Sequence, residues 1–171
     1  MIGQREGSLR MRGDGRELTE AQWETLRAGP SHMFVLVATA DSHADRGEWA
    51  AFVQAVKAYA EHSDELLRRV MADLPTELAD TAAARGDQEK ALAGLREIRS
   101  TLEALDDGGT PFRSALLELG IVVAEASGAH VTRTFAGGEG TGWVRSAGTS
   151  ATENAALQVA AEALGLASPR T

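Results

Sequence analysis

Four side chains that can bind a cation lie within eight residues of the chain: Asp41, His43, Asp45 and Glu48. Ca²⁺ and Mg²⁺ prefer carboxylate, carbonyl and water oxygens, whereas a histidine favours a transition metal such as Zn²⁺. A tight bend between two helices can bring the three carboxylates close to the free carbonyls that end the first helix. The spacing therefore predicts a divalent cation site (Ca²⁺, Mg²⁺ or Zn²⁺). We expect modest affinity, because the segment is shorter than an EF-hand loop.

Helix capping is the alternative explanation for two of these acids. Asp45 and Glu48 have the spacing of a capping box, and the helix dipole stabilises acids at a helix start. Ser150 and Glu153 repeat this spacing with no comparable carboxylate cluster around them. Capping explains the acids without a metal, so both interpretations stay open at this point.

The Gly-rich segment 127–149 is the second unusual feature of the sequence. A connection of this length is uncommon unless it has a function or is disordered. Phe135 and Trp143 flank its glycine-rich centre, and a small β-hairpin within 130–146 fits the pattern. The glycines at 138, 140 and 142 do not match a nucleotide-binding fingerprint. We therefore expect a flap in which Phe135 and Trp143 dock on the protein body, and binding of a protein partner is the sharper hypothesis.

Composition and charge exclude several classes of protein. There are 17 basic and 25 acidic residues, for a net charge of -8, which argues against nucleic-acid binding. The absence of cysteine rules out disulfides, thiol catalysis and cysteine-bound metals. The longest apolar runs, 33–40 and 119–126, are far shorter than the ~18 residues of a membrane span. No signal-like apolar stretch begins the sequence, so we expect a cytoplasmic protein.

No known catalytic spacing occurs in the sequence. Serine, histidine and aspartate are all present, but neither a nucleophile elbow nor a His-Glu-x-x-His motif is found. Three further histidines, His32, His62 and His130, are isolated, which is typical of surface or structural histidines. The sequence therefore predicts a protein that is not an enzyme.

Helical periodicity dominates the chain and predicts an all-α fold. We expect a flexible arm over 1–18, one domain over 19–166 and a tail over 167–171. Predicted helices begin near residues 19, 32, 45, 64, 76, 88, 110 and 151. The helices over about 32–41 and 110–126 are apolar nearly all round, which is typical of central buried helices. A short strand is the alternative for 32–41.

Two halves of the chain share one pattern. In each half, about 19–75 and 110–166, an apolar helix is followed by a loop and then by an amphipathic helix, and helices over 76–105 lie between the halves. Aligning Glu48 with Glu153 places Phe52 opposite Leu157, Val56 opposite Ala161 and Tyr59 opposite Leu164. This pattern indicates a duplicated unit that buries its apolar faces against its twin. The alternative is that any buried helix followed by an amphipathic one gives such an alignment.

The sequence resembles the TerB-like tellurite-resistance family over about 18–60 and 112–166. The resemblance is carried by Leu-Thr-Glu-Ala-Gln-Trp (18–23), by Ala-Thr-Ala-Asp (38–41) followed by Glu48, and by the closing segment 153–166. It implies two related helical halves, a metal site formed by acidic residues of the inter-helix loops, and a non-enzymatic role in stress or metal-oxyanion response. Asp41-Ser42-His43 and Ser127-Gly128 stand where the family usually has Asp-Gly. From the resemblance as a whole we expect a TerB-like accessory domain. The alternative is a protein-interaction module that uses the 127–149 loop and binds no metal.

Overall fold

The computed structural model of the chain describes residues 18–40, 46–74, 87–105, 108–126 and 150–167. Their helices are α1 (Glu20–Arg27), α2 (Gly29–Ala38), α3 (Arg46–Tyr59), α4 (Glu65–Ala72), α5 (Gln88–Leu102), α6 (Thr110–Ala126) and α7 (Ala151–Ala163). No strand occurs within these five ranges, which agrees with the all-α prediction. Most of the predicted arm and of the tail, the helix near 76 and the hairpin within 130–146 lie outside the described residues.

Local capping signals define the start of the fold. Thr19 caps α1: its Oγ1 accepts a hydrogen bond from the Gln22 N–H (3.2 Å), and Gln22 Oε1 accepts one from the Thr19 N–H (2.9 Å). Ala28 alone separates α1 from α2, which begins three residues earlier than the predicted residue 32. Pro30 fits the first turn of α2 because the amide hydrogen it lacks has no partner within that turn.

The apolar helices α2 and α6 form the centre of the domain and run parallel to each other. A Cβ at Gly29 would lie 3.2 Å from Leu116 Cδ1, and a Cβ at Gly120 would lie 2.6 Å from Met33 Sδ. Residues four apart in α2, Gly29 and Met33, thus contact residues four apart in α6, Leu116 and Gly120, in the same order. The two helices therefore run in the same direction. The strand alternative for 32–41 is wrong, since this segment is helical up to Ala38, and Met33–Ala38 are buried as predicted.

The amphipathic helices α3 and α7 both begin at the end of the bundle where α2 and α6 finish. α7 is antiparallel to α6, because Leu157 lies against Gly120 and the Leu164 carbonyl accepts a hydrogen bond from Arg113 (2.9 Å). The first turns of α3 lie beside the second half of α2, where the Phe34 ring is 4.8 Å from that of Phe52. The sequences that connect α2 to α3 and α6 to α7 therefore leave from the same end.

Equivalent positions of the predicted repeat meet in equivalent ways. Matching Asp41 with Ser127, as the motif comparison does, pairs Phe34 with Gly120, while the helix alignment pairs Phe52 with Leu157. Phe34 contacts Phe52, and Gly120 lies against Leu157. Packing of this kind is what a duplicated unit would produce, and duplication stays a prediction.

Candidate cation site and helix starts

Only one of the four predicted cation ligands is described by the structure. Asp41, His43 and Asp45 lie outside the described residues, as do Phe135 and Trp143 of the predicted partner-binding segment. Glu48 is described, and it is the third residue of α3. The description of this site therefore starts from Glu48 and from the end of α2.

Glu48 is completely buried, with an exposed fraction of 0 %. Burial of a carboxylate is costly unless hydrogen bonds, a cation or a proton compensate the charge. The first turn of a helix provides part of this compensation, because its free N–H groups and the helix dipole favour negative charge. The structure thus places one predicted ligand in a desolvated position at the α3 start, three residues after Asp45.

Glu153 of α7 shows how the same position is used in the second half. Its Oε2 accepts a hydrogen bond from the Ser150 N–H (2.6 Å), and Ser150 Oγ accepts one from the Glu153 N–H (3.2 Å). This confirms the capping box that the spacing predicts. Glu153 is also 0 % exposed, and its Oε1 is buried with no hydrogen-bond partner. A buried glutamate at a helix start is therefore compatible with capping alone.

The end of α2, which precedes the predicted cation ligands in the sequence, is attached to α5. Gln88 Nε2 donates hydrogen bonds to the Thr39 carbonyl (2.9 Å) and to Thr39 Oγ1 (3.1 Å). Thr39 Oγ1 in turn donates to the Val35 carbonyl (2.6 Å), which closes the last turn of α2. This attachment holds Thr39, which lies two residues before Asp41 in the sequence, against α5. It joins residues 49 positions apart, so local sequence patterns did not predict it.

A second polar pair joins α3 to α6 away from the bend. Tyr59 donates its hydroxyl hydrogen to Glu118 Oε2. Burial, the hydrogen bond to Glu118 and the negative charge of that carboxylate together raise the pKa of Tyr59 strongly. The Tyr59 ring also lies 6.0 Å from the His62 ring. His62 Nδ1 accepts a hydrogen bond from the Asp64 N–H (3.0 Å), so His62 has a structural role at the turn before α4.

The described ranges contain no group of three or more acidic, histidine or cysteine side chains placed to hold a metal ion. The predicted ligand set is not tested by this finding, because three of its four members lie outside those ranges. In the same part of the chain, no helix is long and apolar enough to cross a membrane.

Comparisons with known proteins identified no relative of the chain. No protein-family model, no curated protein sequence and no solved structure matched it. The function therefore has to be argued from the residues and the geometry.

Proposed function

We propose that this protein is a non-enzymatic helical accessory domain, similar to TerB-like domains, that binds a divalent cation at the bend between α2 and α3. The ligands are Asp41, His43, Asp45 and Glu48. The observation that carries the proposal is that Asp41 and His43 precede the capping pair of Asp45 and Glu48, whose last member is completely buried in the first turn of α3. Carboxylate oxygens and an imidazole nitrogen within eight residues form a donor set that a divalent cation can bind.

The second half of the molecule supports a distinction between capping and cation binding. A capping box needs one polar residue before the helix and one glutamate three residues later, and Ser150 and Glu153 supply both. The first half has Asp45 and Glu48 in those places and adds Asp41 and His43. Asp41 and His43 are not needed for capping, but their side chains carry atoms that can bind a cation. A role in stress or metal-oxyanion response rests on the family resemblance.

Metal titration of matched variants tests the proposal. We would measure heats of binding and melting temperature with Ca²⁺, Mg²⁺ and Zn²⁺ in turn. The wild type and the Glu153→Gln control should bind and gain thermal stability. The double variant Asp41→Asn with Glu48→Gln should lose most of the gain. An undiminished gain in the double variant would overturn the site.

The single variant Asp41→Asn covers the case in which removal of a buried carboxylate at Glu48 prevents folding. Asp41 is not part of the predicted capping pair, so this change should leave the helix start intact. It should weaken metal binding while the helical circular dichroism signal stays unchanged. Wild-type affinity in this variant would count against Asp41 as a ligand.

Protein interaction is the second candidate function, and the surface of α7 favours it. The exposed side of this helix carries no charge from Ala151 to Val159, and Val159 is exposed over 40 % of its surface. This side follows directly on segment 127–149, which contains Phe135 and Trp143. Val159→Lys should abolish capture of a protein partner in a pull-down while leaving the metal titration unchanged, which separates the two functions.

A further inference from the structure

His32 packs against a glycine at the contact between α2 and α5. A Cβ at Gly94 would lie 2.3 Å from both Cδ2 and Nε2 of His32. No side chain larger than that of glycine therefore fits at position 94 unless the imidazole moves. His32 is half-buried on a helix whose other residues are mostly apolar. The ring is thus held in a space with little room for hydration on the side of α5.

Two charged residues of α5 act on this imidazole. Lys90 lies one turn before Gly94 and Glu97 lies three residues after it, so both share the face that meets α2. From α1, Thr25 Oγ1 donates a long hydrogen bond to Glu97 Oε1 (3.5 Å). Burial and then the positive charge of Lys90 lower the pKa of His32, and Glu97 opposes this shift. The neutral imidazole is therefore the form that this contact favours.

We propose that His32 and Gly94 form an acid-sensitive latch between α2 and α5. The neutral ring packs on Gly94 and holds the two helices together. In mildly acidic solution the ring gains a proton, and the cation requires hydration and is repelled by Lys90. Because α5 also holds the end of α2 through Gln88 and Thr39, loosening this contact weakens the attachment of α2 to α5.

The direction of the pH effect follows from the lowered pKa. The unfolded chain binds a proton at His32 as the pH falls through the ordinary value of 6.5, whereas the folded protein does not until the pH is lower. The folding equilibrium constant therefore decreases as the pH is lowered through this range. The loss is about tenfold for each pH unit that separates the two pKa values, and it is complete once the pH is below both.

Urea unfolding at about pH 7.5 and about pH 5 tests the latch. We expect the wild type to lose stability between these two values. His32→Gln, which cannot be protonated, should lose less. An equal loss of stability in His32→Gln and the wild type would overturn the proposal.

Titration of the His32 ring by NMR gives a second test that does not depend on folding of the His32 variant. Lys90 and Glu97 are exposed, so Lys90→Gln and Glu97→Gln should fold normally. The pKa of His32 should rise in Lys90→Gln and fall in Glu97→Gln. A pKa of 6.5 for His32 in the wild type, or a His32 pKa that neither substitution changes, would overturn the proposal.

Discussion

Glu48 and Glu153 are each the third residue of a helix, α3 and α7, and both side chains are completely buried. The sequence alignment pairs them by spacing alone, and the structure adds burial as a second shared property. Both helices begin at the end of the bundle where α2 and α6 finish. A buried glutamate at the helix start is thus a feature that α3 and α7 share.

We predict that Ser150 and Glu153 stabilise α7 through their capping box. Ser150→Ala removes the acceptor of the Glu153 N–H and should lower the free energy of unfolding by about 1 kcal/mol. Glu153→Ala leaves the Ser150 N–H without its acceptor and should cost about 1–3 kcal/mol. Glu153→Gln serves as the control, because glutamine also completes a capping box. Urea unfolding measures all three, and equal losses for Glu153→Gln and Glu153→Ala would contradict this prediction.

Tyr59 is predicted to stabilise the contact between α3 and α6 only while its hydroxyl keeps its proton. Its pKa is raised in the folded protein, so this stability is fully present below the ordinary value of 10.0 and is lost as the pH rises above it. Tyr59→Phe should cost about 1 kcal/mol at neutral pH, because it removes a hydrogen bond to a carboxylate that is partly hydrated. The variant should also lack this part of the alkaline loss.

Absorbance measures the Tyr59 titration directly, since Tyr59 is the single tyrosine of the chain. We expect the tyrosinate signal to appear well above pH 10, together with unfolding. Glu118→Gln is the matched control: it keeps an acceptor but removes the negative charge, so the signal should appear at lower pH than in the wild type. Tyrosinate formation near pH 10 in the folded wild type would contradict the raised pKa.

Local signals in the sequence predicted the helices, but they did not predict the contacts between them. The Thr19 capping box and the apolar run from Met33 to Ala38 act over a few residues, and the structure contains both. The second helix was expected to begin near residue 32, but α2 begins at Gly29, because Pro30 suits the first turn of a helix. These features depend on neighbouring residues and can be derived from spacing.

The polar contacts of the described site residues escaped prediction because they join distant parts of the chain. The Tyr59 and Glu118 side chains are 59 residues apart, and Gln88 and Thr39 are 49 apart. His32 was expected to be an ordinary isolated histidine, and only the close approach of α5 shows its contact with Gly94. The acidic bend was predicted from spacing, and the structure adds only the burial of Glu48 to that prediction.

The turn before α6 provides a matched pair of glycines for a stability test. Gly108 and Gly109 both have φ of 61°, a conformation that other residues adopt at a cost of about 1 kcal/mol. A Cβ at Gly109 would also lie 2.8 Å from Cβ of the buried Leu102, whereas at Gly108 it would meet only the end of the Arg113 side chain at 3.3 Å. Gly108→Ala should therefore cost about 1 kcal/mol, and Gly109→Ala about 2–4 kcal/mol, because overpacking adds to the backbone strain. Thermal unfolding compares the stability of the two variants. Equal losses of stability would show that Leu102 moves aside without an energetic cost.

Arg113 is predicted to hold the end of α7, and Arg99 offers a comparison for it. Arg113 Nη1 donates to the carbonyl of Leu164, the C-cap residue, and Nη2 donates to Thr110 Oγ1. A C-terminal carbonyl has no partner within its own helix. The glutamine side chain in Arg113→Gln is too short to reach the Leu164 carbonyl. This substitution should therefore lower the free energy of unfolding by about 1–2 kcal/mol.

Arg99 lies against Gly165 at the same end of α7, but it pairs with Glu103 (2.7 Å), the C-cap residue of its own helix, and both side chains are about half exposed. Exposed ion pairs of this kind contribute little, so Arg99→Gln should change stability by less than about 0.5 kcal/mol. Hydrogen exchange separates the two arginines further. Amides in the last turn of α7 should exchange faster in Arg113→Gln and at the wild-type rate in Arg99→Gln. Equal protection in the two variants would mean that the Gly165 turn closes α7 without Arg113.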